Sequence, residues 1–374
     1  MSLQNAFAGR VDRLRKLMEE RGYDAVVLRN NPDLRWLTGA QAVFDDEVAH
    51  TAFVTADGLW LHTDSRYYNS FVESLGPETP WQLDMDLVDH AAWVAGRALA
   101  SRARVVAIED SCSLAFYDAL QYRLARKSIA PMLPRLHEDI CDLRMVKDED
   151  ELTLLREAQR ITDEAFEHIC GYIRPCMTEQ QIRAELENYM LSHGANGLSF
   201  ETIIASGPNG ANPHARPSAR LVGEGDLIVM DYGALYCDYH ADMTRTVCLG
   251  EPSDEQRAVY DIVRSAHEQC AAAIKPGVIG SDIHNLSVKV ISDAGYGAYY
   301  GHGLGHGVGI EIHERPNFGR RWDKPVPAGS VVTVEPGIYL PGKFGIRLED
   351  CGVVTEDGYV PFTASSHELR VIPV

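Results

Sequence analysis

No stretch of the sequence approaches the roughly 18 uninterrupted apolar residues that a membrane-spanning helix needs. Residues Met1 to Ala8 hold no basic segment leading into an apolar one, so a soluble, unexported protein is expected. Positive charge is scarce. Lys and Arg number 35 against 54 Asp and Glu, a formal charge of −19, which repels polyphosphates at long range and argues against nucleic acid and anionic membrane surfaces as partners. The eight cysteines, at 112, 141, 170, 176, 237, 248, 270 and 351, form no C-x-x-C pair. That scatter excludes a zinc knuckle or a redox dithiol and is expected of reduced thiols in a cytoplasmic protein.

What is present is ordinary globular material: 374 residues, 45% hydrophobic and 24% charged, enough for two domains with separate cores. Apolar residues at Phe7, Val11, Leu14, Leu17 and Met18 step by three and four, and Gly22 follows as a C-cap, so the chain should open with an amphipathic helix. Short strand-like runs at Ala25 to Leu28, Ala52 to Val54, Leu59 to His62 and Val105 to Ile108 alternate with helical patterns at Val88 to Ala98 and Leu114 to Leu124. Between Pro134 and Asp142 the pattern is irregular. Lys147-Asp-Glu-Asp-Glu151 then opens a long helix whose acidic first turn suits its positive dipole end. The expected domains are 1–143, α/β, and 144–374, α+β with an internal pseudo-twofold repeat.

The repeat shows in two places. Ile173-Arg-Pro175 is echoed 101 residues later by Ile274-Lys-Pro276, each leading into a helix that ends near a glycine, Gly194 or Gly295. Gly225-Asp-Leu-Ile-Val-Met-Asp231-Tyr-Gly233 is echoed by Gly329-Ser-Val-Val-Thr-Val-Glu335-Pro-Gly337. Each copy carries a second acid, Asp242 after Asp231 and Glu349 after Glu335, across a segment that reads as a hairpin; Pro341-Gly342-Lys343 is turn chemistry. Two hairpins thus deliver four carboxylates. Four carboxylates converging in a core stay ionised only with cations among them, so the pattern points to a dinuclear metal site. The glycine-rich run from Gly301 to Glu314 adds three imidazoles, His302, His306 and His313.

Five segments, Met230-Asp-Tyr-Gly233, Asp242-Met-Thr-Arg-Thr246, Gly301-His-Gly-Leu-Gly-His306, Val334-Glu-Pro-Gly-Ile-Tyr339 and Ile346-Arg-Leu-Glu-Asp350, occur in the order found in the pita-bread metallopeptidases. The chain resembles that family over nearly its whole length. The two-domain layout is similar to aminopeptidase P and prolidase, which carry a creatinase-like amino-terminal domain. The resemblance implies that Asp231, Asp242, His306, Glu335 and Glu349 hold two divalent ions, manganese, cobalt or zinc, with Asp242 and Glu349 bridging. It implies Glu335 as proton shuttle, His214 facing the scissile amide, and His302 and His313 lining the substrate pocket. His302, Tyr339 and Arg347 are implied to contact substrate or to orient an acid. Short proline-containing peptides are the implied substrates and a homodimer the implied assembly.

One position departs from the pattern. Many prolidases have His-Glu-x-Pro-Arg where this chain has His313-Glu-Arg-Pro-Asn317, so the arginine that grips a dipeptide's carboxylate is missing and Arg315 or Arg370 is left to replace it. Longer peptides are therefore candidate substrates beside dipeptides. Two other readings share the fold: a C–N hydrolase or lyase acting on a small non-peptide compound, and an inactive peptide-binding module. The intact ligand set argues against the second.

Overall fold

The structure, a computed structural model, describes residues 3–125 and 130–374; the side chains of residues 3–8, Phe7 among them, also lie outside the description. The chain divides into two compact units, Met1–Arg144 and Met145–Val374.

In the first unit, the opening helix Leu3–Arg21 stops where Gly22 takes a positive φ of 69°. A mixed five-stranded sheet follows, with strands in the spatial order Gln82–Asp84, Leu59–His62, Thr51–Thr55, Ala25–Leu28 and Val106–Ile108. Ala25–Leu28 is buried at every position, so it shows no alternation and reads as a continuous apolar run. Val27, Phe53 and Ile108 pack against Trp93, Val94 and Leu120 from the two helices expected at these places. The segment expected to be irregular contains a short helix, Asp139–Met145. Of its residues only Ile140 and Arg144 are buried, and one apolar contact is too little periodicity to reveal a helix. Arg144 is instead fixed by a buried ion pair with Asp33 at 2.8 Å.

The second unit repeats one design twice. Helix Glu149–Tyr172 starts at a capping box between Asp148 and Glu151, and helix Glu179–Ser192 at another between Thr178 and Gln181. Ile161, Ala165 and Ile169 on the first and Ile182, Leu186 and Met190 on the second close over Ile228, Met230 and Met243 of the sheet. In the second copy, helices Asp254–Ala273 and Gly280–Asp293 bring Val259, Val263 and Ile291 against Ile338 and Ile346. The two halves thus follow one α+β plan, a pair of helices closing over antiparallel strands, as the internal repeat in the sequence predicts. All eight cysteines are free thiols. Among the described residues, no helix is long and apolar enough to cross a membrane.

Strand register places the acids. Leu227–Tyr232 pairs antiparallel with Met243–Leu249, and Asp231 faces Thr244. Val331–Val334 pairs with Asp350–Thr355, Val334 facing Asp350, so Glu335 and Glu349 lie one step beyond the paired ends. In the first copy the two acids are separated by a second small hairpin, Ala234–Tyr236 with Tyr239–His240. Gly233 begins it, and a Cβ there would stand 1.9 Å from the carbonyl oxygen of Ala241. A Gly233→Ala variant must therefore push Ala241, and with it Asp242, out of place. The expected cost is about 1–3 kcal/mol in urea unfolding, with weakened metal binding; an unchanged melt and unchanged affinity would show that this turn does not set the site.

Candidate metal centre

Period-two alternation along two strands builds the centre. Asp242, Thr244 and Thr246 point to one side of the first-copy strand, while Arg347 and Glu349 come from the second copy. The Thr244 hydroxyl donates to Glu349 Oε2 at 2.7 Å and accepts from Arg347 Nε at 3.0 Å. The Glu349 amide donates to the Thr244 carbonyl at 3.1 Å, and Thr246 Oγ1 exchanges bonds with the Arg347 backbone. These rungs stitch the two halves of the repeat together at the acids.

Asp242, His306 and Glu349, all lying within the interior, offer ligand atoms within 4.8 Å of one another. His306 Nε2 lies 3.4 Å from Asp242 Oδ2 and 3.5 Å from Glu335 Oε1. Those separations suit donors each about 2.1 Å from a shared ion. The His306 tautomer fits the same purpose, because Nδ1–H donates to the Gly307 carbonyl at 3.1 Å and leaves the Nε2 lone pair facing the acids. Glu335 is anchored by its amide, which donates to the Leu304 carbonyl at 2.7 Å, and the His306 amide donates to Thr333 Oγ1 at 3.1 Å. Asp231 Oδ2 accepts from Arg347 Nη2, whereas its Oδ1 is buried without a partner.

Burial, then repulsion from Glu349 and the other acids, pushes the Asp242 and Glu335 carboxyls well above their ordinary range. Glu349 is driven up to about 8, by burial first and then by Asp231, against the opposing pull of Arg347 and the Thr244 hydrogen bond. Burial moves the imidazoles the other way, His306 and His302 each down to about 4 and His313 also downward, so they are neutral donors near neutral pH. An acid cluster short of positive charge, an orphaned carboxylate oxygen and an aimed neutral imidazole together fit divalent cations. Hard oxygens with a single nitrogen suit manganese, cobalt or zinc alike.

The other expected residues gather around this cluster. Tyr339 OH accepts from Arg347 Nη1 at 2.9 Å and lies 2.9 Å from His302 Nε2; since His302 Nδ1–H donates to the Gly303 carbonyl at 2.7 Å, the phenol donates to Nε2. The His313 ring meets that of His306 edge-on at 4.4 Å. His214 is exposed, and its loop is tied in by a 3.3 Å bond from Arg347 Nη1 to the Pro213 carbonyl. Arg347, buried to 4% exposure, is thus the hub joining Asp231, Thr244, Tyr339 and the His214 loop. The arginines left to replace the missing one are engaged otherwise: Arg370 is bidentate to Glu167 at 2.8 Å, and Arg315 lies over the Trp322 ring at 5.4 Å. Sequence reasoning gave no part to Thr244, Thr246 or Thr333, although the alternation Asp242-x-Thr244-x-Thr246 places three polar groups on one strand face.

The site and fold define a metallopeptidase. Residues 153–356 match the model of metallopeptidase family M24, and residues 10–146 match the creatinase/prolidase N-terminal domain. The chain belongs to family M24. It is 32% identical to the Xaa-Pro dipeptidase of Lactobacillus delbrueckii subsp. lactis, over 97% of this chain and 99% of that one. Among solved structures it is similar to a Xaa-Pro dipeptidase from Bacillus anthracis (TM-score 0.90, 33% identity, 98% and 99% of the two chains). It is also similar to an X-Pro aminopeptidase from Thermotoga maritima (TM-score 0.87, 34% identity, 97% and 100%).

Proposed function

We propose that the protein is a metal-dependent peptidase that hydrolyses the Xaa-Pro bond at the amino terminus of short peptides and in dipeptides. The observation that carries this reading is the convergence of Asp242, Glu335, Glu349 and neutral His306 in one buried cluster, in a chain similar end to end to Xaa-Pro peptidases. Asp231, Asp242, His306, Glu335 and Glu349 would hold two divalent ions. Bound there, the ions supply acidified water and positive charge against the developing oxyanion.

The chain's own groups supply the rest. Glu335 takes the proton released by the attacking water and returns it to the departing proline nitrogen, which in a tertiary amide has no hydrogen of its own and leaves only when protonated. His214 and His313 orient the scissile carbonyl, and His302, held by Tyr339, lines the substrate pocket. Arg347 is a positioning residue: its guanidinium fixes Asp231 and Tyr339 in one plane of contacts. The enzyme is proposed to act in the cytoplasm as a homodimer, which sedimentation of the pure protein tests.

Asn317 sits at an exposed position opposite His306 in the strand pair, in the place of the arginine of the prolidase pattern. Strict preference for a free proline carboxylate is therefore not expected. The test is hydrolysis of Ala-Pro beside Ala-Pro-Ala by manganese-loaded protein: both should be cut. Cleavage of Ala-Pro alone would restrict the enzyme to dipeptides. Cleavage of neither, with two ions bound, would overturn the proline assignment and favour a small non-peptide substrate.

A further inference from the structure

A second group of metal-ligating side chains lies outside the centre already described. His267 projects from helix Asp254–Ala273, Asp350 opens strand Asp350–Thr355, and His367 lies in the loop before the last strand. Their ligand atoms fall within 4.8 Å of one another. His367 Nε2 is 2.7 Å and His267 Nε2 3.6 Å from the same oxygen, Asp350 Oδ2, and the two rings meet at 4.6 Å. His267 is 1% exposed, yet neither of its ring nitrogens has a hydrogen-bond partner. A buried imidazole with two idle nitrogens is costly unless something binds it.

We infer that His267, Asp350 and His367 form a third, mononuclear cation site, separate from the peptidase centre and selective for zinc or cobalt over manganese. Two imidazoles and one carboxylate are the donor set of a borderline transition metal, whereas the peptidase centre, with four carboxylates and one imidazole, is suited to harder ions as well. The surroundings are those of a ligand shell. Asp350 Oδ1 accepts from Arg245 Nη2 at 2.7 Å, which fixes the carboxylate, while Oδ2 accepts from His367 Nε2 at 2.7 Å, a bond that an ion held by both groups would replace. His367 is held by its own carbonyl, which accepts from Tyr260 OH at 3.1 Å. The His367 side chain is 30% exposed and gives the ion a way in. Arg245 also donates to the Glu349 carbonyl at 2.6 Å, so the site braces the strand end that carries a proposed metal ligand.

The test uses wild-type protein, His367→Ala and His267→Gln, each stripped with chelator, equilibrated with buffered Zn2+ and assayed for zinc per chain. Wild type should hold one zinc more than either variant, and zinc should raise the Tm of wild type more than that of His367→Ala. With Co2+, wild type should show the intense visible absorption of a four-coordinate imidazole site, lost in His367→Ala. Equal zinc content and identical cobalt spectra would overturn the site and leave a plain hydrogen-bonded ion pair. Should His267→Gln fail to fold, the cobalt spectrum of wild type decides, since absence of the four-coordinate band contradicts the proposal. An Asp242→Asn chain, impaired at the peptidase centre, should still take up this zinc, which keeps the two assignments separable.

Discussion

Asp242→Asn is expected to lower Ala-Pro turnover by at least about 10³-fold, some 4 kcal/mol of transition-state stabilisation. Asp242 is 4% exposed and lies within reach of both His306 and the other acids, so its charge has no use in the apoprotein. Burial and repulsion from Glu349, Asp231 and Glu335 make that charge a burden there. The amide removes the burden. The metal-free variant should therefore melt at or above the temperature of metal-free wild type, while binding fewer ions and turning over almost nothing. Calorimetry, metal content and a single rate measurement check the combination. A variant keeping more than about a tenth of wild-type activity would remove Asp242 from the ligand set.

Stripping the metal should abolish activity and tie stability to pH. Glu349 has a folded-state pKa of about 8 against an ordinary 4.5, so between those values the folded apoprotein holds a proton that the unfolded chain releases. Stability then falls as pH rises through that window. Asp242 and Glu335 shift in the same direction. His302 and His306, lowered from 6.5 to about 4, work oppositely: their contribution is complete above 6.5 and is lost as pH falls towards 4. Neutral His306 is needed with or without metal, so that limb is common to both forms. The acid limb is not, because bound cations keep the carboxylates ionised. The Tm gap between metal-loaded and metal-free protein should widen from pH 5 to pH 8. Metal binding at pH 7 should release about one proton or more, read as a dependence of the binding enthalpy on the buffer's ionisation enthalpy. A constant gap and no proton release would mean that the acids are not the ligands.

The residues that the sequence made legible were those carried by pattern. Asp231, Asp242, Glu335 and Glu349 stood out because two copies of one unit repeat a glycine-to-acid spacing, and His306 because it sits in a glycine-rich run where backbones crowd: a Cβ on Gly305 would lie 2.1 Å from the Thr333 carbonyl. The buried helices announced themselves through capping boxes and apolar stripes, as at Thr178 and Ile182. Arg347 was legible as a member of the site but not as its hub, since its partners come from four separate segments. His267 and His367 gave no signal at all. They lie 83 and 17 residues from Asp350, on a helix and a loop, and only the closed fold brings them together.

The proposed cleavage of an Xaa-Pro bond depends on divalent ions held by the carboxylate cluster. The most direct test is a titration of chelator-stripped protein with Mn2+ while Ala-Pro hydrolysis is followed. Activity should rise from nothing and level off at two equivalents per chain. Activity that persists without metal, or that never appears at any manganese level, would contradict it.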